Sequence, residues 1–436
     1  MSSLLSTAES PFVIVNNGKE YSFIDDLNPS GGNTSKTEST GVITRFTINN
    51  NNETMKDFIK IKNLSIADLL MLLIDSYYND LKIDNNKILL HDAINTELLN
   101  IQYLWTNKTT PIQTVLTEDD VKDICDYIAE VLGANAVNIT HSNFRKIVAP
   151  KIQYVSSEHW VKIFSILWNK NEELSHLFSL LVNEYKKIQF ETEIYVPFDA
   201  VLRDKGTLLK IEWLDSVCGL KHETETDVLV TDVLDFPGAR SREKFKEQEI
   251  GTVLPTILRR GKVAYLFNKY SRSLRISSVL FCHHNDQKNE PTLGETINDW
   301  IETNIGKTPE ERTEDLTRTN GISPLFLIAT KFNIELERTK NDASSNVELL
   351  SEHWKRFKTV LPEIIKPATW FDNWVTRGGL FRSEVFQSIY LLRDYYWSMK
   401  NQIFDGYNDK TKSPEVARHI YNDYPEYFDN LERSFL

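Results

Sequence analysis

The residues best suited to chemistry lie in DVLVTDVLDFPGAR, Asp227 to Arg240, where an apolar β-type run ends in Asp235-Phe-Pro-Gly238. A carboxylate at a strand end can sit beside a divalent cation, and a glycine two residues past Phe236 lets backbone approach a phosphate. The plain alternative is a strand closed by a Pro-Gly turn. Asp232 lies three residues before Asp235 and belongs to the opposite face of a regular strand. Upstream, TGVITRFT (Thr40 to Thr47) offers Thr44, a hydroxyl of the type that can bind a divalent cation. By composition alone that stretch is an ordinary strand rich in Val, Ile, Thr and Phe. Downstream, SPLFLIATKFN (Ser323 to Asn333) places Thr330, Lys331 and Asn333 just beyond a buried-type strand.

Two further clusters attract attention and are read conservatively. Ser30-Gly-Gly-Asn-Thr-Ser-Lys-Thr37 imitates a phosphate loop, but serines occupy both required glycine positions and a β-like stretch follows where a helix is needed. It reads as a loop leading to Thr44. Cys282-His283-His284-Asn285-Asp286 follows a strand, and no second group has metal-ligand spacing, so these are read as strand-end polar residues. No intact GxxxxGK[ST] occurs in the 436 residues.

Composition narrows the function classes. Hydrophobic residues make up 41%, enough for a substantial core, and the formal charge of -12 argues against non-specific nucleic-acid binding. The three cysteines, Cys125, Cys218 and Cys282, form no CxxC, which suits a reducing compartment. Residues 1–20 show no basic segment followed by an apolar one, so no signal peptide is expected and the location is read as cytoplasmic. The most apolar helix, Leu64 to Ile74, contains Asp68 and is too short to span a bilayer. No basic amphipathic helix gives evidence of a membrane role.

Short β-prone runs occupy Phe12 to Val15, Glu20 to Ile24 and Gly41 to Ile48. From Thr54 to Lys187 the spacing is helical, as in Ile66, Leu69, Leu70, Leu73, Ile74 and Tyr77, with a capping-box start at Thr117 and Asp120. Beyond Glu191, strands at Asp227–Leu234, Arg275–Cys282, Pro324–Ala329 and Ser388–Leu392 alternate with helical stretches at Gly294–Thr303 and Val347–Lys358. That alternation predicts a largely parallel sheet covered on both faces, with ligands at the carboxyl ends of its strands.

As an ordered set these motifs resemble the dynamin-like branch of P-loop GTPases. TGVITRFT is similar to the switch I pattern SGIVTRRP, DFPG to DLPG, and ATKFN to the base-reading TKxD. Within that branch, NPSGG…ESTGVITRFT, DVLDFPGARSRE, ATKFN and FQSIYLLRD resemble the bacterial virulence factors of the SrfC type over nearly the whole chain. The motifs are specific as a set and weak singly.

The resemblance implies an α/β, P-loop GTPase-like fold with a mostly parallel sheet and a large helical insertion. Residues 1–53 would carry switch I, residues 54–200 the insertion, and residues 201–436 the remainder. It implies GTP and Mg2+ as ligands if the site is functional. Thr44 and Asp235 would serve the metal, Gly238 the γ-phosphate, and Thr330, Lys331 and Asn333 the base. Asn333 stands where Asp is expected, and its amide donor would face a donor on guanine, at a cost of about 1–3 kcal/mol.

The resemblance also implies longer relatives with an N-terminal Walker A. MSSLLST is similar to the tail of GxxxxGK-S-S-L-L, which would make Ser2 the metal-binding hydroxyl. The alternative is an ordinary frayed N-terminus. On the first alignment the chain begins inside its own phosphate loop, as a misplaced start or a pseudo-GTPase would, and GTP binding should be weak or absent. Two functions follow as expectations: a GTPase-like protein with an incomplete or degenerate nucleotide site, or a nucleotide-independent scaffold that keeps the fold. The protein partner is left open, as is self-association into a homo-oligomer.

Overall fold

The computed structural model describes residues 13–16, 19–22, 43–47, 58–83, 91–105, 116–131, 143–187, 193–197, 214–221, 232–236, 244–273, 276–283, 293–318, 322–329, 370–377, 382–386 and 388–391. Two compact units divide the chain, Met1–Lys269 and Tyr270–Leu436.

The first unit begins with β1 (Val13–Asn16), β2 (Lys19–Ser22), β3 (Ile43–Thr47) and β4 (Phe58–Asn63). A helical block follows: α1 (Ile66–Asp80), the short strand β5 (Leu81–Lys82), α2 (His91–Asn100), α3 (Glu118–Val131), α4 (Asn143–Val148), α5 (Ser157–Phe164) and α6 (Glu172–Lys187). The chain returns through β6 (Glu193–Pro197), β7 (Leu214–Lys221), β8 (Asp232–Asp235), β9 (Phe245–Lys246) and the long α7 (Ile250–Arg272).

Helices α1, α3 and α5, and Leu293–Asn304 of the second unit, form where the apolar spacing predicts them; α7 and Pro309–Arg318 are not signalled by it, and Val347–Lys358 lies outside the described residues. Along α1, Ile66, Leu69, Leu70, Leu73, Ile74 and Tyr77 are all buried, each large apolar side chain contributing roughly 1.5–3 kcal/mol on burial. Ser65 caps this helix. Its hydroxyl accepts from the Asp68 amide at 3.1 Å, and the Asp68 carboxylate accepts from the Ser65 amide at 2.8 Å. The expected box at the start of α3 is present too, with Thr117 N–H to Asp120 at 2.7 Å and Asp120 N–H to Thr117 at 3.2 Å. Phe144, Phe164, Trp168 and Phe178 interleave ring edges and faces at the centre of the block.

The sheet of this unit has the order β6-β4-β7-β3-β8. Only β3 with β7 is parallel; β3 with β8, β4 with β6 and β4 with β7 are antiparallel. Of the four strands whose alternation predicts a parallel sheet, only β8 lies in this sheet, antiparallel to β3. The sheet draws strands from both sides of the helical block, and antiparallel neighbours need no crossover helix between them. The helical segment is also narrower than residues 54–200, because β4 and β6, which lie inside those bounds, are sheet strands. They pair from Phe58↔Pro197 to Lys62↔Glu193, so the block leaves and re-enters the sheet at adjacent strands. Ile59 and Ile61 of β4 are buried on one face, while Phe58 and Tyr195 are exposed on the other.

The second unit carries β10 (Val279–His283), α8 (Leu293–Asn304), α9 (Pro309–Arg318), β11 (Leu325–Ala329), β12 (Val375–Arg377), β13 (Arg382–Glu384) and β14 (Ile389–Leu391). A three-stranded sheet runs β10-β11-β14, parallel throughout. β12 and β13 form an antiparallel hairpin beside the rings of Trp370, Trp374 and Phe386. Gly306 ends α8 with φ +156°, where an added Cβ would lie 2.6 Å from Glu311 Cβ. Only glycine fits that position without displacing backbone.

Candidate functional site

β3 and β8 run antiparallel with Thr44 directly opposite Asp235, Arg45 opposite Leu234, Phe46 opposite Val233 and Thr47 opposite Asp232. Residues directly opposed in an antiparallel pair lie on the same sheet face with Cβ atoms about 4.5–5.5 Å apart. The Thr44 hydroxyl and the Asp235 carboxylate, far apart in sequence, therefore come from one end of one strand pair, on one face. Both Thr44 and Asp235 are half-buried, beside the fully buried Ile43 and the exposed Arg45.

Local irregularity marks the same place. The register between β3 and β7 shifts between Thr44 and Phe46, so that Cys218 and Gly219 of β7 span the position of Arg45. Such bulges re-aim side chains and are frequent next to functional sites. Immediately after β8, the Phe236 ring meets Phe267 of α7 edge to face, 5.8 Å between centroids. Phe236, directly after Asp235, is thus seated on α7.

A hydroxyl and a carboxylate on one face are hard oxygen donors of the kind that Mg2+ takes from a protein, its other positions going to water and phosphate. Among the described residues no group of three or more His, Cys, Asp or Glu side chains is arranged to hold a metal. Ser2, Gly238, Thr330, Lys331 and Asn333 lie outside the described residues. The strand that precedes the last three is described: Leu325, Leu327 and Ile328 are buried, and Ala329 at its carboxyl end pairs with His283 and Leu391. His283 is the last residue of β10, in line with its reading as a strand-end residue.

One polar centre escaped the sequence reading. Asp68, 7% exposed, accepts hydrogen bonds from the Ser65 amide, from the Tyr265 hydroxyl and, at 3.0 Å, from the Lys269 ammonium. Burial alone would raise the Asp68 carboxyl, but Lys269, Tyr265 and the Ser65 amide outweigh it and hold the pKa below the usual carboxylate range. Tyr265 packs edge to face on Tyr127 of α3 at 5.4 Å, and Tyr127 donates to the buried Asp75 at 3.2 Å. Asp68 and Asp75, seven apart on the buried side of a mainly apolar helix that also buries Asp80, were the available signal. A charge on a buried face demands a partner, but nothing local names Lys269.

Family comparison addresses what kind of protein carries this arrangement. A family described as “Putative bacterial virulence factor” matches residues 1–218 and again 215–422. The chain belongs to that family. No curated protein matches it. The family's description states a biological setting and no chemistry. Its two matches meet inside β7, the strand that flanks β3 at Thr44. Among the described residues, no helix of this family member is long and apolar enough to cross a membrane.

Proposed function

We propose that this virulence-factor family member is a GTPase-like protein, of dynamin-like P-loop type, whose Thr44–Asp235 strand end receives the metal of a magnesium-bound guanine nucleotide. The observation that carries this reading is the register that sets Thr44 opposite Asp235. Switch I and switch II must grip one cation, and the motifs that resemble them converge on one face of one strand pair. The parallel strand β11 supports it further, because Thr330-Lys331 follow its carboxyl end, where ligands of such sheets bind. In this reading Asp235 supplies the carboxylate and Thr44 the hydroxyl, the Gly238 amide faces the γ-phosphate, and the Lys331 stem packs on the base. Magnesium, when bound, neutralises charge on the phosphates.

The test is calorimetric titration of GTP with and without Mg2+ into the full chain and into Asp235→Ala. The expected result is a weak, Mg2+-dependent affinity, in keeping with the lack of an intact GxxxxGK[ST], that falls at least tenfold in the variant, with no change in the Mg2+-free titration. Equal affinities in both proteins would overturn the metal assignment. No binding up to millimolar GTP would favour the second reading, a nucleotide-independent scaffold. Asn333 in place of the expected aspartate is the observation on that side. If GTP binds, Asn333→Asp should raise the preference for GTP over XTP, because xanthine presents a carbonyl where guanine presents its amino group.

A further inference from the structure

α7 has two working faces. Phe267 points to one side and meets the Phe236 ring directly after Asp235. Tyr265 and Lys269, one turn apart, share another side and hold Asp68 at the first turn of α1. Two residues along a helix is a rotation of about 200°, so these faces are nearly opposed. Tyr265 also touches Tyr127, which bonds Asp75, so the contact continues from α1 into α3.

We propose that α7 is a lever that couples the Asp235–Phe236 strand end to the helical block, with Phe267 following Phe236 and the Asp68–Tyr265–Lys269 cluster transmitting the displacement. The cluster suits that task better than an apolar contact would. An apolar interface tolerates sliding, whereas a buried carboxylate bonded to an ammonium, a phenol and an amide is satisfied in one geometry only. A small shift of α7 therefore strains or breaks a discrete set of bonds, and elements with discrete arrangements are what carry coupling between sites. As regulation of the proposed nucleotide site, the idea rests on the reading of Asp235 given above. As a mechanical link, it stands on contacts within the first unit alone.

The experiment is amide hydrogen exchange on the full chain, first without any nucleotide. Phe236→Ala and Phe267→Ala should each speed exchange of the amides from Ser65 to Leu69 and around Tyr127 at least fivefold. Exchange in β10 and β11 should stay unchanged. Phe236→Leu and Phe267→Leu keep an apolar side chain in place, so they report if the alanine variants fail to fold, with a smaller increase at the same amides. Asp68→Asn should produce the reciprocal effect, faster exchange at Leu234 to Phe236. Unchanged exchange at Ser65 to Leu69 in the folded leucine variants, or no effect of Asp68→Asn on Leu234 to Phe236, would overturn the lever. A second arm adds GTP and Mg2+ to the wild type. Protection changing at Ser65 to Leu69 supports both proposals. A ligand-free coupling with no response to nucleotide leaves the lever standing and counts against the nucleotide reading alone.

Discussion

Asp68 and Arg312 are both ionisable side chains buried among apolar neighbours, 7% and 2% exposed, yet the molecule holds them in unlike ways. Asp68 is met by an opposite charge, the Lys269 ammonium at 3.0 Å. Arg312 is met by peptide dipoles. Its guanidinium donates to the carbonyls of Trp374 at 2.7 Å, Asn373 at 2.6 Å, and Gly306 and Lys307 at 3.0 Å each, while its plane faces the Trp374 ring. Burial draws the Arg312 pKa down from its ordinary value, and neighbouring glutamates oppose that, but guanidinium stays charged across the working range. Asp68 can take up a proton and become neutral if its partner is lost. The four carbonyls around Arg312 have no such recourse. One centre is therefore adjustable and the other rigid.

The largest expected effect sharpens that contrast. Arg312→Met leaves several carbonyls without their donor and should destabilise the protein by about 3–5 kcal/mol. Arg312→Lys should recover less than half, since one ammonium cannot reach carbonyls on both sides of a planar fork. Urea unfolding measures both, and full recovery by lysine would show that charge alone matters there.

Lys269→Met should cost less, about 2–3 kcal/mol at pH 7, because Lys269 is a quarter exposed and Asp68 can protonate. A loss as large as that of Arg312→Met would break the comparison.

The pH dependence separates the two centres by sign. The folded-state pKa of Asp68 is depressed, so its stabilisation is complete above the ordinary carboxylate value and is lost as pH falls through the folded value. The stability gap between wild type and Asp68→Asn should therefore narrow as pH drops below about 4, while the gap between wild type and Arg312→Met should hold. Urea titrations at pH 5, 4 and 3 give both gaps, and a gap for Asp68→Asn that widens in acid would reverse the assignment.

The smallest effect concerns the caps. Ser65→Ala removes the hydroxyl that accepts from the Asp68 amide and should cost about 1 kcal/mol. Because the two bonds close one reciprocal cap and each holds the geometry of the other, the double variant Ser65→Ala/Asp68→Asn should cost less than the sum of the two singles. Strict additivity, measured by the same unfolding titrations, would mean that cap and ion pair act independently.

What the sequence disclosed follows the range of the forces involved. Strands β3, β8, β10, β11 and β14 were readable from runs of Val, Ile, Leu and Phe, and the Thr117–Asp120 box from residues three apart. β4 was missed although Ile59 and Ile61 alternate with Lys60 and Lys62, because the stronger helical period of the residues after Ser65 dominated the reading. The Ser65–Asp68 box is just as local, but in so apolar a run Asp68 reads first as a charge that disqualifies a membrane span. The antiparallel register of the larger sheet depends on which strands return beside one another after the helical block, and no local pattern encodes that. Thr44 and Asp235 could be named from motif order. The Lys269 and Tyr265 partners of Asp68, some two hundred residues downstream, could not, since neither belongs to any motif.

The pairing of β4 with β6 bears on how such a chain can change over time. Its helical block leaves the sheet at Asn63 and returns at Glu193, on strands that are hydrogen-bonded neighbours, about 4.8 Å apart. A segment whose two ends sit that close imposes no stretch on the strands that carry it, whatever its length, because closing a longer loop adds only a slowly growing entropy cost. The block can lengthen, shorten or be exchanged by recombination without shifting the register of the five-stranded sheet, provided that β5 keeps its pairing with β9. What limits that freedom is α7, whose Tyr265 and Lys269 keep one specific helix, and one specific aspartate on it, in place.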